Sequence, residues 1–123
     1  MIVKTKEDVM GTKGEACGDK WRSLRFLHAE DGMGVTLTDT ILEPGFEMDL
    51  WQKNHLEACY CIEGEGTVEE LENGKTHEVK PGTLYAMNEH DRHRIRAITR
   101  MRIVCTFYPA LTGDEVHDAD GSL

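Results

Sequence analysis

The sequence has few basic side chains and no long apolar run. Lysine and arginine number 14 against 23 aspartates and glutamates, so the formal net charge is −9. Because this negative charge is spread along the chain, it disfavours binding to nucleic acid or to anionic membranes. No stretch approaches the ~18 apolar residues of a membrane-spanning helix, and the N-terminal residues lack the apolar core of a signal peptide. We therefore expect a cytoplasmic protein that binds neither nucleic acid nor membrane.

Long segments with the 3.6-residue apolar period of an amphipathic helix are also missing. Turn residues recur instead about every eight to twelve positions, as at Asn73-Gly74, which predicts a hairpin between its flanking segments. Residues 100–107 alternate, which puts one set of side chains on an inward face, namely Met101, Ile103, Cys105 and Phe107. The sequence predicts an all-β antiparallel barrel or sandwich with little helix, and its length fits a single domain over 1–123.

The N-terminal pattern is weaker than the rest. It predicts an edge strand over Met1 to Lys4 and a helical turn near Lys6 to Met10. Further strands are predicted over 21–26, 35–43, 47–52, 83–87 and 100–107. In the first of these, Trp21, Ser23 and Arg25 share one face if the chain is extended. From the residues alone, Trp21 could be a core residue and Arg25 part of a surface ion pair.

Cysteines are few, and their spacing favours no disulfide or zinc site. A cytosolic setting keeps thiols reduced, and Cys59-x-Cys61 lacks the Cys-x-x-Cys spacing of a structural zinc site. We expect Cys17, Cys59 and Cys61 to be small, buried apolar side chains.

Most of the residues whose side chains could take part in catalysis or metal binding lie between Gly45 and His93. His55, Glu57, Cys59 and Cys61 are two residues apart, so on a strand they share one face. That face combines thiols, an imidazole and a carboxylate.

This stretch resembles both motifs of the cupin family, small β-barrels that usually hold a metal. Gly45, Glu57 and Gly64 fit the spacing of the first motif, and Pro81-Gly82 supplies the turn of the second. The three usual histidines are replaced by Trp51, Lys53 and Tyr85.

With these departures, the chain resembles the ectoine synthase family. The segments that carry the resemblance are NHLEACYCIEGEG, KPGTLYA, HDRH and LTGDEVHDADG, and the resemblance runs from residue 21 to the C-terminus. It implies a cupin-type jelly-roll barrel, or double-stranded β-helix. It also implies iron(II), or another divalent transition metal, held by Glu57, Tyr85 and His93. The implied reaction, a step of compatible-solute biosynthesis, cyclises N-γ-acetyl-L-2,4-diaminobutyrate to ectoine with loss of water.

The same resemblance implies further site residues. The substrate would be bordered by Trp21, Arg25, Thr40, Gln52, Cys105 and Phe107, with the Arg25 guanidinium suited to pairing with a carboxylate. Gln52 stands where the family commonly has a tyrosine. The tail, 110–123, would fold over the barrel mouth as a lid, with Glu115 and His117 helping to close the catalytic pocket. A homodimer is implied as well, and two-fold pairing is the commonest closed symmetry.

Two alternatives stay open. One is a non-catalytic cupin that binds a small molecule, and the other is a related cyclase that acts on a different acylated diamine. From the residues alone, Glu57 could be a paired barrel carboxylate and Tyr85 a core aromatic. His55 could orient a metal ligand or be a core histidine, while His90 and Asp91 are expected at the surface.

Overall fold

The computed structural model describes all residues from Met1 to Leu123. Helix α1 spans Lys6–Val9, and a 3-10 helix spans Ala29–Asp31. The strands are β1 (Glu15–Gly18), β2 (Trp21–Arg25), β3 (Thr36–Leu42), β4 (Glu47–Leu50), β5 (Leu56–Glu63), β6 (Gly66–Glu70), β7 (Thr76–Val79), β8 (Leu84–Met87), β9 (His93–Ala97) and β10 (Met101–Tyr108). Neither helical segment has the length and apolar character needed to cross a bilayer.

The ten strands form two antiparallel sheets. One has six strands in the order β1-β2-β3-β10-β5-β8, and the other has four in the order β4-β9-β6-β7. Every strand pair is antiparallel. Both sheets contribute side chains to one core, for example Ile103 from the first and Ile95 from the second. The predicted all-β antiparallel architecture is therefore confirmed.

Strand β10 shows why the core lies between the sheets. Met101, Ile103, Cys105 and Phe107 are buried, as the alternation of their segment predicted. Full burial of an aliphatic or aromatic side chain contributes roughly 1.5–3 kcal/mol, so this inward face stabilises the sheet that carries the site. Register matters here because a shift by one residue would turn the whole face to solvent.

The predicted turns at Asn73-Gly74 and at α1 are confirmed. Strands β6 and β7 pair antiparallel across the first turn, where Gly74 adopts a φ of 74°. At α1, Thr5 is the N-cap residue, and its N–H donates to Asp8 Oδ2 over 2.8 Å. The Thr5 side chain in turn accepts a hydrogen bond from the Asp8 N–H. These reciprocal contacts form a capping box, which supplies acceptors for N–H groups that have no partner within such a short helix.

The predicted edge strand over Met1 to Lys4 is wrong. Residues 1–4 belong to no strand because the edge of the six-stranded sheet is β1, which pairs with β2. Residues 15–18 show no alternation of apolar and polar side chains, and the last of them, Gly18, is a weak strand former. Cys17 of β1 is exposed at this sheet edge, so its expected burial is wrong. Packing explains Gly18, since a Cβ there would lie 2.3 Å from Nε1 of Trp21. This close approach fixes Trp21 at the start of β2.

Candidate active site

A cavity of ≈ 90 Å³ lies between the sheets and is lined mainly by apolar side chains. Strands from both sheets and the C-terminal segment contribute to its walls. The sequence-predicted site residues that line it are Trp21, Arg25, Thr40, Gln52, Glu57, Tyr85, His93, Cys105, Phe107 and His117. Of the predicted set, Glu115 alone lies outside its lining.

Glu57, Tyr85 and His93 reach this cavity from three strands, β5, β8 and β9. The Tyr85 and His93 rings are 6.3 Å apart between centroids. Oε1 of Glu57 is buried and has no hydrogen-bond partner. Nδ1 of His93 lies 2.9 Å from the Asp91 carbonyl. Because a carbonyl only accepts, this bond assigns the proton to Nδ1 and leaves the Nε2 lone pair free.

Burial sets the protonation of these three groups. It raises the pKa of Glu57 to about 7, against a smaller lowering by Cys59. Burial also raises the pKa of Tyr85 well above its ordinary value, and the neighbouring thiols and Glu57 act in the same direction. For His93, burial lowers the pKa although Asp91 opposes this. The cavity therefore favours the neutral form of each group when no cation compensates for desolvation.

A divalent cation fits these residues. The buried, unpartnered Glu57 oxygen would gain a positive partner, and a neutral His93 presents the lone pair that a metal needs. One imidazole nitrogen with a carboxylate and a phenol oxygen suits a borderline or hard divalent ion such as iron(II). Three protein donors also leave coordination positions open to a substrate.

Cys59 is a cavity residue that the sequence analysis did not place in the site. One donor atom from each of Glu57, Cys59 and Cys105 lies within 4.8 Å of the other two, so this group could also hold a metal ion. The available signal was its spacing, two residues after Glu57 on the same strand face. Ser23 was missed in the same way, since it shares its face with Trp21 and Arg25 and lines the cavity with them.

Arg25 lies at the junction of the cavity and the C-terminal segment. It is 5% exposed, and its Nη1 donates to the backbone carbonyl of Glu115 over 3.1 Å. Burial lowers the pKa of Arg25, and the charge of Glu115 partly opposes this. Beside it, Thr40 Oγ1 donates to Ser23 Oγ over 2.9 Å. The guanidinium is thus a buried cation with donors left for an anionic ligand.

The Glu115 side chain differs from the expectation that it closes the pocket. Its carboxylate accepts from the N–H groups of Thr112 and Gly113 over 2.8 and 2.9 Å. Burial raises its pKa, but these backbone bonds outweigh burial and hold the value at about 2. Glu115 therefore organises the turn at 112–115, and only its backbone carbonyl reaches Arg25.

His117, in contrast, lines the cavity. Its ring packs edge-on against Trp21, with 5.6 Å between centroids. Burial lowers the pKa of His117, and the nearby Arg25 lowers it further. Further along, Gly121 packs against β4, where a Cβ would lie 2.4 Å from the Asp49 carbonyl. From the tail, His117 and Leu123 thus contribute to the cavity lining.

The remaining histidines near the site have supporting contacts. His55 packs edge-on against Phe107, with 6.2 Å between centroids, and does not line the cavity. His90 is exposed, as expected, yet its Nδ1 lies 2.8 Å from the Gln52 carbonyl. Asp91 acts through its carbonyl on His93. These three residues therefore contact residues that line the cavity, but they do not line it themselves.

Comparison with known proteins identifies the family of this chain. The family model for ectoine synthase matches residues 1–123. The L-ectoine synthase of Oceanobacillus iheyensis is 51% identical over 121 residues, which cover 98% of this chain and 94% of that protein.

Solved structures agree on the fold. The crystal structure of ectoine synthase from P. lautus superposes with a TM-score of 0.90 at 48% identity, covering 98% of this chain and 87% of that one. A Cupin_2 domain of an XRE family transcriptional regulator from Enterobacter cloacae has a TM-score of 0.61 at 13% identity, covering 72% of this chain and 96% of that one, which supports the fold alone. The chain therefore belongs to the ectoine synthase family of enzymes and has the cupin fold.

Proposed function

We propose that the protein cyclises N-γ-acetyl-L-2,4-diaminobutyrate to ectoine with loss of water, using iron(II) held by Glu57, Tyr85 and His93. One observation carries this proposal: the three donors and the buried cation Arg25 line the same small cavity. The ectoine synthase relatives support the product.

The reaction joins the free α-amine to the acetyl carbonyl carbon. A C–N bond forms, both C–O bonds of the carbonyl break, and its oxygen leaves as water with two protons given up by the ammonium nitrogen. The amide thereby becomes a cyclic amidinium. Glu57, Tyr85 and His93 would hold the ion, which would supply Lewis-acid polarisation of that carbonyl. Around it, the chain must anchor the substrate, accept a proton from its ammonium group, return a proton to the departing oxygen and exclude solvent.

Arg25 is proposed to hold the substrate carboxylate. A guanidinium pairs with a carboxylate through two parallel bonds, and its burial in an apolar cavity strengthens the pairing. Fixing this end of a short, flexible substrate restricts where the amine can lie. Such orientation lowers the entropic part of the activation free energy for cyclisation of the bound substrate.

His117 is proposed to move the proton. Its pKa lies below the ordinary histidine value, so the imidazole is neutral near pH 7 and can accept a proton from the substrate ammonium. Its edge-on contact with Trp21 holds the ring at the cavity wall. Protonated His117 can then return the proton to the departing oxygen.

The tail, 110–123, is proposed to act as a lid. Ser122 is 2% exposed and its Oγ accepts from the Lys53 N–H over 3.1 Å, while Leu111 N–H donates to Thr36 Oγ1 over 2.8 Å. Both ends of the tail are therefore attached to the barrel. A closed tail limits the water that would reverse the dehydration.

We also propose a cytoplasmic homodimer. The four cysteines are free thiols, which suits a reducing compartment. On the outer face of the six-stranded sheet, Leu84 pairs in register with Tyr60 and Tyr108 with Leu56; these side chains are 63%, 47%, 62% and 38% exposed. Contiguous exposed apolar side chains suit a protein partner, and a second copy joined by two-fold symmetry is the proposed one. Sedimentation of wild type and of Leu84→Lys tests this; a monomeric wild type would contradict it.

A substrate series tests the proposed function against its alternatives. Iron-loaded protein is offered the N-γ-acetyl, N-γ-propionyl and N-γ-butyryl forms of 2,4-diaminobutyrate, and cyclic product is followed by chromatography. We expect the acetyl form to be converted with the highest kcat/KM. Faster conversion of a longer acyl chain would indicate a related cyclase. Saturable binding of all three without product would indicate a binding protein and would contradict the proposal.

A further inference from the structure

Two thiols face each other across neighbouring strands inside the cavity. Cys59 on β5 and Cys105 on β10 are direct partners in the antiparallel register. They are 2% and 6% exposed, and both line the cavity. Directly opposed residues have Cβ atoms about 4.5–5.5 Å apart, so side chains on the same face come into contact. The two sulfurs therefore form a cross-strand dithiol.

Glu57 completes a group of three donors. It precedes Cys59 by two residues on β5, so both side chains point to the same face. Ligand atoms of Glu57, Cys59 and Cys105 all lie within 4.8 Å of one another. Oε1 of Glu57 is buried and has no hydrogen-bond partner. An unpartnered, buried carboxylate oxygen beside two thiols is a donor set that favours a cation.

The spacing of the group fits a small tetrahedral ion. Sulfur ligands at ~2.3 Å from a zinc ion in tetrahedral geometry lie ~3.8 Å apart. The two sulfurs must therefore approach by ~1 Å at most, which side-chain rotation can provide. Two thiolates and one carboxylate also leave a fourth position open toward the cavity.

We propose that Cys59, Cys105 and Glu57 form a second metal site, selective for soft or borderline divalent ions such as Zn²⁺ and Cd²⁺. Thiolate ligands favour such ions, whereas the oxygen and nitrogen donors of Glu57, Tyr85 and His93 suit harder ones. Binding converts both thiols to thiolates and releases their two protons to solvent. The two donor sets share Glu57 but differ in every other ligand.

Cys61 provides an internal contrast. It lies two residues beyond Cys59 on the same strand face and is fully buried. Its Sγ donates to the carbonyls of Glu63 and Gly64 over 3.4 and 3.7 Å, and it does not line the cavity. Cys61 is thus a buried thiol with backbone partners, and Cys61→Ser is the matched control for Cys59→Ser.

A cadmium titration tests the site. Metal-free, fully reduced protein is titrated with Cd²⁺, and the ultraviolet thiolate-to-cadmium charge-transfer band is recorded. We expect the band to saturate at one ion per chain in wild type, to be retained in Cys61→Ser and Cys17→Ser, and to be lost in Cys59→Ser and Cys105→Ser. A wild type without the band, or a Cys59→Ser/Cys105→Ser double variant that keeps it, would overturn the site.

Two further measurements keep the test decisive if a variant does not fold. X-ray absorption at the cadmium edge of the wild type should give two sulfur ligands; a shell without sulfur contradicts the proposal. A negative result for the thiolate site is also distinguishable from a failure of the proposed function, because the two sets of metal ligands share only Glu57. His93→Ala should keep the cadmium band, and Cys59→Ser should keep its iron content. Loss of the cadmium band in His93→Ala would count against two distinct sites.

Discussion

The side-chain oxygen of Gln52 accepts a 3.0 Å hydrogen bond from the backbone N–H of Leu123. Gln52 is 2% exposed, and both residues line the cavity. The Gln52 amide therefore joins the tail to the barrel at the wall of the site. A residue that the family resemblance marked as a substrate contact has a structural role as well.

Removing this acceptor should loosen the end of the tail. In Gln52→Leu, the Leu123 N–H loses its buried acceptor, which costs about 1–3 kcal/mol. We expect faster amide hydrogen exchange over 118–123 and a raised substrate KM. Asn54→Ala is the control, because its bond to the Leu123 carbonyl lies at the surface. Unchanged exchange in Gln52→Leu would show that this bond does not hold the tail.

Glu115 gives the tail a defined response to acid. Its pKa is about 2 in the folded protein, below the ordinary value of 4.5. A lowered pKa means that the ionised group contributes stability above pH 4.5 and loses that contribution as the pH falls toward 2. The Tm difference between wild type and Glu115→Gln should therefore be constant above pH 5 and shrink across about pH 4.5 to 2. A difference that does not change with pH would contradict the assigned hydrogen bonds.

The proposed carboxylate-anchoring role of Arg25 can be separated from its contact with Glu115. Arg25→Lys keeps the charge but loses the paired geometry, and losing a charge-assisted bond of about 1.5–3 kcal/mol raises KM roughly 10- to 100-fold. N-acetyl-1,3-diaminopropane, which lacks the carboxylate, should be turned over equally poorly by wild type and variant. An equal loss with both substrates would instead indicate that Arg25 acts only on the tail.

The proposed iron ligands are tested by metal content. His93→Ala should bind far less iron than wild type while remaining folded, because His93 is the sole nitrogen donor of the set. His77→Ala is the matched control, since His77 lies outside this cavity and pairs with Glu70 over 2.6 Å. Elemental analysis of both variants gives the answer; wild-type iron content in His93→Ala would show that the ligand set is wrong.

The sequence predicted the fold correctly where an alternating apolar pattern or a strong turn signal marks the strands. The inward face of β10 and the hairpin at Asn73-Gly74 were both predicted, because burial on one face and a strong turn signal are local properties of the chain. Alternation also predicted that Trp21 and Arg25 share one face, and the family resemblance placed that face at the pocket; both residues line the cavity.

Other features depend on partners that are distant in sequence. β1 exists because β2 is available to pair with it, and Gly18 is needed because Trp21 packs on it. Cys59 and Cys105 are 46 positions apart in the sequence, and their pairing is set by the register of β5 and β10, which no short motif contains. The Glu115 carboxylate was expected at the pocket, but local backbone donors satisfy it first.

The fate of the acetyl oxygen tests the proposed reaction most directly. N-γ-acetyl-L-2,4-diaminobutyrate labelled with ¹⁸O at the acetyl carbonyl is incubated with iron-loaded protein, with and without a chelator, and the products are examined by mass spectrometry. The proposal predicts ectoine lighter than the substrate by one labelled water, formed only where iron is available. Absence of water loss in folded, iron-loaded protein, equal turnover with iron removed, or label retained in the product would contradict it.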